Sequence, residues 1–118
     1  MTKEQKDLLL HDLCARLPYK TEIQVNDYAV LNTTLKVGHI SRLLNEDLEI
    51  KPYLFPLESM TEEQDKEFAL LQTSAGQEGF LYVWNCANMM KWLIENHFDC
   101  NGLIPMGLAN DATGKNIY

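Results

Sequence analysis

The stretch EGFLYVWNCANMMKWLIENHFDCNGLIPMGL, residues 78–108, constrains this chain most. It holds both tryptophans, two of the three cysteines and the densest apolar run. From about residue 85 to 96 the apolar positions Cys86, Met89, Met90 and Leu93 recur at helical spacing, and Asn85 is a fitting N-cap. Ile94 and Trp92 make that helix apolar on more than one face. Such a helix is either fully buried or shared with a partner. Residues 79–83 are β-rich and short, so a strand is expected there. A short second helix is expected over 101–106, ended by Gly107.

The rest of the chain supplies a support. Residues 2–17 are expected to form a helix, opened by a Thr2/Gln5 capping box and ended by Pro18. Leu9, Leu10, Leu13, Cys14 and Leu17 share one face, with Asp12 off it and Cys14 a small buried hydrophobe. Residues 21–25 and 28–37 alternate as half-buried strands around a turn at Asn26-Asp27. Residues 39–44 fit either a third strand or a helical turn, and 48–51 a short extended piece. Pro52 and Pro56 bracket a connector that cannot be a central strand. A further helix, from about 59 to 73, carries a Thr61/Gln64 capping box, with Glu62 and Glu63 where the helix dipole favours negative charge. The tail 110–118 has little to bury and is expected to fray or to dock through Ile117 and Tyr118 alone.

The expected fold is therefore α+β in a single domain spanning 1–118. A helix fills 1–18, and a small antiparallel sheet, open or barrel-like, fills 20–52. A helical region with one extra strand fills 59–108, as two helices and a short terminal one, before the tail 109–118. At this length a core forms without disulfide or metal.

Composition narrows the function classes. Seventeen acidic against ten basic residues leave a net charge of −7. The basic residues are scattered, so neither a nucleic acid nor an anionic membrane is an expected partner. An odd number of cysteines with no CxxC argues against disulfides and a zinc ribbon. Residues 1–8 lack the pattern of a leader, and no stretch nears the ~20 apolar residues of a membrane helix. A reducing cytoplasm is the expected compartment.

No catalytic constellation emerges. Cys100 and His97 are the nearest nucleophile–base pair, yet no orienting partner or oxyanion hole accompanies them. His97-x-Asp99-Cys100 gathers three donor types, fewer than a zinc site needs, so no metal and no cofactor is expected. At a helix C-terminus, His97 reads as a cap favoured by partial positive charge. Residues 76–79 match no phosphate loop. Interfaces and ligand pockets favour aromatic, Met and amide side chains. On that ground Tyr82, Trp84, Asn85, Asn88, Met89, Trp92, His97 and Asn101 are the candidate binding residues. Most of the same apolar residues also fit a plain core.

Three blocks add a resemblance: LCARLPY at 13–19, KPYLFPLESMTEEQ at 51–64 and WLIENHFDCNGLIPMGLA at 92–109. They resemble, in matching order and spacing, small uncharacterised proteins encoded by phages, prophages and mobile elements of Bacteroides-type gut bacteria. The chain departs from that pattern at Lys20, where a glycine is usual, at Cys100-Asn101 in place of Tyr-Arg, and at Pro105-Met106 in place of Glu-Lys. The resemblance implies a mobile-element accessory protein inside a bacterial host cell and no particular activity. The expected role is non-enzymatic binding, plausibly anti-defence, of a host protein or a small signalling nucleotide. A homo-oligomer would cover the surplus apolar surface. Open alternatives are a virion or replication assembly factor and a cryptic hydrolase using Cys100 and His97.

Overall fold

The computed structural model describes residues 1–26, 29–46, 48–74 and 80–118, and the side chains of all of these but 46, 72–74 and 80–85. Among them the chain is α+β, with four α-helices and an open four-stranded mixed sheet. The sheet does not close on itself, so the barrel-like variant is not what forms.

Helix α1 spans Lys3–Arg16. Its capping box is complete: Gln5 N–H donates to Thr2 Oγ1 (3.1 Å), and Thr2 N–H donates to Gln5 Oε1 (2.9 Å). Its buried residues are Leu9, Asp12, Leu13 and Arg16, while Cys14 is exposed. The helix is thus rotated from the expected phase. Both phases have helical spacing; an Asp12–Arg16 ion pair lets the polar one go inside. A 3-10 turn, Leu17–Tyr19, follows, and Lys20 sits in the left-handed region (φ 53°, ψ 48°). Glycine enters that region most readily, since it has no Cβ to crowd the backbone.

Strand β1 (Glu22–Asn26) pairs antiparallel with β2 (Val30–Thr34) and with β3 (Glu49–Leu54). Strand β4 (Asn110–Asp111) runs parallel to β3, giving the order β2-β1-β3-β4. The second strand ends earlier than alternation suggests, because Val37–Glu46 is helix α2. Lys36 N–H donates to His39 Nδ1 (3.0 Å), half of a capping box, and Ile40 and Leu43 reach the core at helical spacing. This settles 39–44 as helix.

Pro52 lies inside β3 with β1 and β4 on either side, against the expectation of a connector. Leu54 C=O accepts from Ala112 N–H (2.8 Å), so Leu54 faces β4. By two-residue alternation Pro52 faces that way too. Its missing N–H therefore costs β1 nothing, and β4 pairs only with Tyr53 and Leu54.

After a 3-10 turn at Leu57–Ser59, α3 (Glu62–Ser74) and α4 (Phe80–Glu95) form a hairpin. The Thr61/Gln64 capping box is present in both directions (3.2 and 2.9 Å). Helix α4 starts at Phe80, so residues 80–83 are helical rather than a strand. β propensity alone gives a segment no ladder partner, and the helical periodicity of 86–93 runs back through it. Gly79, the first residue of the expected strand, lies outside the described residues.

Residues 101–107 are turns, not the expected short helix. Pro105 has no N–H for a helical ladder. One closed loop forms instead: Leu108 N–H bonds Leu103 C=O (2.9 Å) and Gly107 N–H bonds Ile104 C=O (3.0 Å), with Gly107 at φ 75°. That is a Schellman pattern, and Gly107 does serve as its left-handed glycine. The tail is anchored more broadly than expected, by β4, by buried Ala112 and by Tyr118.

The central core joins α1, α2, β1, β3 and the 103–109 segment through Leu9, Leu13, Leu43, Ile23, Ile50, Leu54 and Leu103. No described side chain of α3 or α4 belongs to that cluster. The hairpin stands beside it, which accounts for the elongated 49 × 31 × 23 Å shape. The radius of gyration, 15.3 Å, exceeds the ~13.5 Å typical of a compact chain this long.

Candidate functional site

The hairpin is tied to the sheet by a chain of aromatic rings. Phe68 stacks on Trp92 (centroids 5.5 Å apart) and Trp92 on Phe98 (5.7 Å). Phe55 then meets Phe98 at 6.1 Å and Tyr118 at 5.8 Å, and Tyr118 stacks on His97 at 3.7 Å. One line of rings therefore joins α3, α4, β3 and the end of the chain. The Tyr118 hydroxyl accepts from Glu22 N–H (2.8 Å) and donates to Tyr53 C=O (2.7 Å). It stands where a direct β1–β3 ladder bond would otherwise form.

His97 ends α4. It has φ 64°, its N–H bonds Ile94 C=O (3.1 Å), and Phe98 N–H bonds Leu93 C=O (2.9 Å). This is a second Schellman pattern, with histidine in the glycine's place. His97 does cap the helix, but through its backbone. Burial, reinforced by the Arg16 guanidinium, lowers its pKa to about 4. The imidazole is neutral at pH 7, and its buried Nδ1 has no hydrogen-bond partner. The expected gain from a positive ring at the helix end is therefore lost.

Behind this corner lies a polar cluster built around Asp12, a residue expected off the buried face of α1. Arg16, fully buried, donates from Nε to Asp12 Oδ2 (2.7 Å) and from Nη2 to Asp12 Oδ1 (3.1 Å). Nη2 also donates to Phe98 C=O (2.7 Å) and lies 3.7 Å from Cys100 Sγ. Asn101 Nδ2 donates to Asp12 Oδ1 (2.8 Å). Asp99 accepts Leu103 N–H and Ile104 N–H (2.8 and 2.9 Å), fixing the loop that follows. The i,i+4 spacing of Asp12 and Arg16 is visible in sequence; their burial is not. Tyr118 docks, as the sequence allows, but its hydroxyl bonds to β1 and β3 left no sequence signal.

Burial raises the Cys100 thiol above its ordinary range, which keeps it protonated. No hydrogen bond joins it to His97 among the described residues. No group of three or more His, Cys, Asp or Glu gathers to hold a metal ion among them either.

Of the candidate binding residues, Trp92 is half-buried in the ring stack, and His97 and Asn101 belong to the corner around Arg16. Asn88 and Met89 are half-buried on α4, away from that corner. Tyr82, Trp84 and Asn85 fall within α4, but their side chains lie outside the described residues. Position 87 of α4 is exposed alanine, Met90 is 42 % exposed and Leu70 of α3 is 71 % exposed. Lys91 and Glu95 form an exposed ion pair alongside (3.5 Å).

A groove lies elsewhere on the described surface. It encloses about 560 Å³ between the start of α1, the start of β3 and residues 106–108, with Lys6, Lys51 and Glu49 on its walls. No described helix is long and apolar enough to cross a membrane. Compared with known proteins, the chain matches no family model, no curated protein and no solved structure at a significant level.

Proposed function

We propose that this chain acts by binding, with the α3–α4 hairpin as contact surface and a host protein as partner. The observation that carries this is the incomplete cover of an apolar helix. The sequence of α4 is apolar on more than one face, yet in the hairpin Ala87 and Met90 face solvent and Asn88, Met89 and Ile94 are half-covered. Met, aromatic and amide side chains of this kind are enriched at protein interfaces. A two-helix hairpin is also convex, which suits a protein partner better than a small ligand. The phage and mobile-element context implied by the block resemblance makes a component of host defence the class of partner, and a bacterial cytoplasm the place.

The test is a Met90→Glu variant, which charges the exposed face without touching the ring stack. The wild-type protein is expected to retain a host protein in quantitative affinity capture that the variant loses. Identical retention by both overturns the reading.

A second reading has one observation behind it. The groove beside α1 is within the usual size range of ligand sites and carries two lysines, as a small signalling nucleotide would require. Thermal shift with cyclic and linear nucleotides tests it, because any ligand of the folded state raises apparent stability. A flat response across the panel removes it.

A further inference from the structure

The free edge of the sheet carries an inference independent of the hairpin. Among the described residues, strand β2 pairs with β1 on one side only. Leu35 N–H donates to Thr21 C=O (2.8 Å), continuing the β1–β2 ladder. Alternation then turns the backbone of Leu31, Thr33 and Leu35 toward β1, and that of Val30, Asn32 and Thr34 outward. No described hydrogen bond engages those outward main-chain groups.

Natural edge strands are guarded by charge, proline or a bulge. Strand β2, VLNTT, has none of these: its ladder with β1 is regular, and the flanking residues 29–35 are uncharged. Val30 and Leu31 are 62 % and 59 % exposed. Leu31 lies opposite buried Val25, so it extends the core face of the sheet past the part that α1 and α2 cover. The other edge, β4, is only two residues long and offers no comparable template.

We infer that β2 pairs antiparallel with β2 of a second copy of this chain, about a twofold axis at Asn32. Three observations choose that occupant. First, this register is self-complementary: Asn32 meets Asn32, and Val30 meets Thr34, so every outward residue exchanges two backbone hydrogen bonds with its opposite number. Second, Tyr53 Oη donates to Asn32 Oδ1 (2.8 Å), which fixes the amide and leaves its NH₂ to donate to the facing Asn32. Third, copies that each carry a net charge of −7 repel one another, and an uncharged strand is where such copies can approach. The product is a continuous sheet through two molecules, with Leu31 of each copy diagonally opposed on the core face. The hairpin takes no part in this pairing and stays available.

The experiment is sedimentation or light scattering across a concentration series, with residue-resolved amide exchange on the same samples. Wild-type protein is expected to pass from 13.6 kDa to twice that mass. The amides of Val30, Asn32 and Thr34 are expected to slow with the mass, while those of Leu31 and Thr33 are slow at every concentration. Leu31→Lys and, separately, Val30→Pro should halve the mass with unchanged far-UV circular dichroism. Proline at 30 removes an outward N–H and no bond to β1, so both variants keep the fold testable. A monomer at every concentration overturns the inference, as does a dimer in which Val30, Asn32 and Thr34 exchange fast. Protection of those amides only on adding another protein assigns the edge to an extended segment of that protein, and overturns it too. None of these outcomes bears on the hairpin, whose test is the Met90→Glu capture.

Discussion

Replacing Asp12 with alanine should cost more stability than any single hydrophobic truncation on the surface of this fold. The carboxylate accepts two bonds from Arg16 and a third from Asn101, with both charged side chains buried. Removing it leaves a buried guanidinium whose Nη1 already lacks a partner. Breaking one side of a buried pair typically costs about 3–5 kcal/mol, a large part of the ~5–15 kcal/mol that holds a domain folded. For 118 residues an unfolding entropy of about 0.25 kcal/mol/K turns that loss into a fall in Tm of roughly 12–20 °C. Replacing both partners by apolar residues of similar volume, Asp12→Leu with Arg16→Met, should recover most of it, because no charge is then stranded. Urea denaturation of the wild type, both single variants and the pair yields the coupling directly. Near-UV circular dichroism should change in Asp12→Ala as well, since Arg16 also holds Phe98 C=O under the Trp92 ring. If Asp12→Ala loses less than about 1 kcal/mol, well below the cost of stranding a buried charge, the ion pair is not the tie described above.

Three further outcomes follow from the same corner. The folded His97 titrates near 4, below the unfolded value of 6.5, so stability is complete above pH 6.5 and falls between 6.5 and 4 as the unfolded chain takes up the proton first. Discounted for a half-exposed ring, the loss is about 1–2 kcal/mol; in His97→Asn, which tolerates the left-handed backbone, it should vanish from urea midpoints compared at pH 7.5 and 4.5. Tyr118→Phe should destabilise by about 1–2 kcal/mol in the same assay, because Glu22 N–H and Tyr53 C=O lose their shared hydroxyl. With iodoacetamide at neutral pH, exposed Cys14 should react about tenfold or more faster than half-buried Cys100, whose thiol burial keeps protonated; peptide mapping by mass spectrometry gives the order.

What was legible in the sequence was local. Both capping boxes, the α3 helix and Gly107 follow from hydrogen bonds within a few residues, and the first strand from two-residue alternation; all are present. What depended on partners distant in sequence was not. Asp12 looks solvated until Arg16 and Asn101 converge on it. Pro52 looks like a breaker until the side of the strand that its nitrogen faces is known. Residues 80–83 have strand chemistry but no strand to join, and 101–106 has helical spacing but a proline and an Asp99 that captures its amides. Of the candidate site, the surplus apolarity of α4 was readable from residue types. That Trp92 and His97 are tied into internal ring stacks, leaving Ala87 and Met90 outside, required the fold.

The most direct measurement is site-specific photo-crosslinking in bacterial cells that express the chain, with a benzophenone amino acid placed at Met90 and, as control, at exposed Thr113. The expected result is one discrete adduct with a host protein from position 90 and none from 113. No adduct from position 90, or the same pattern from both positions, would contradict the hairpin as the working surface of this chain.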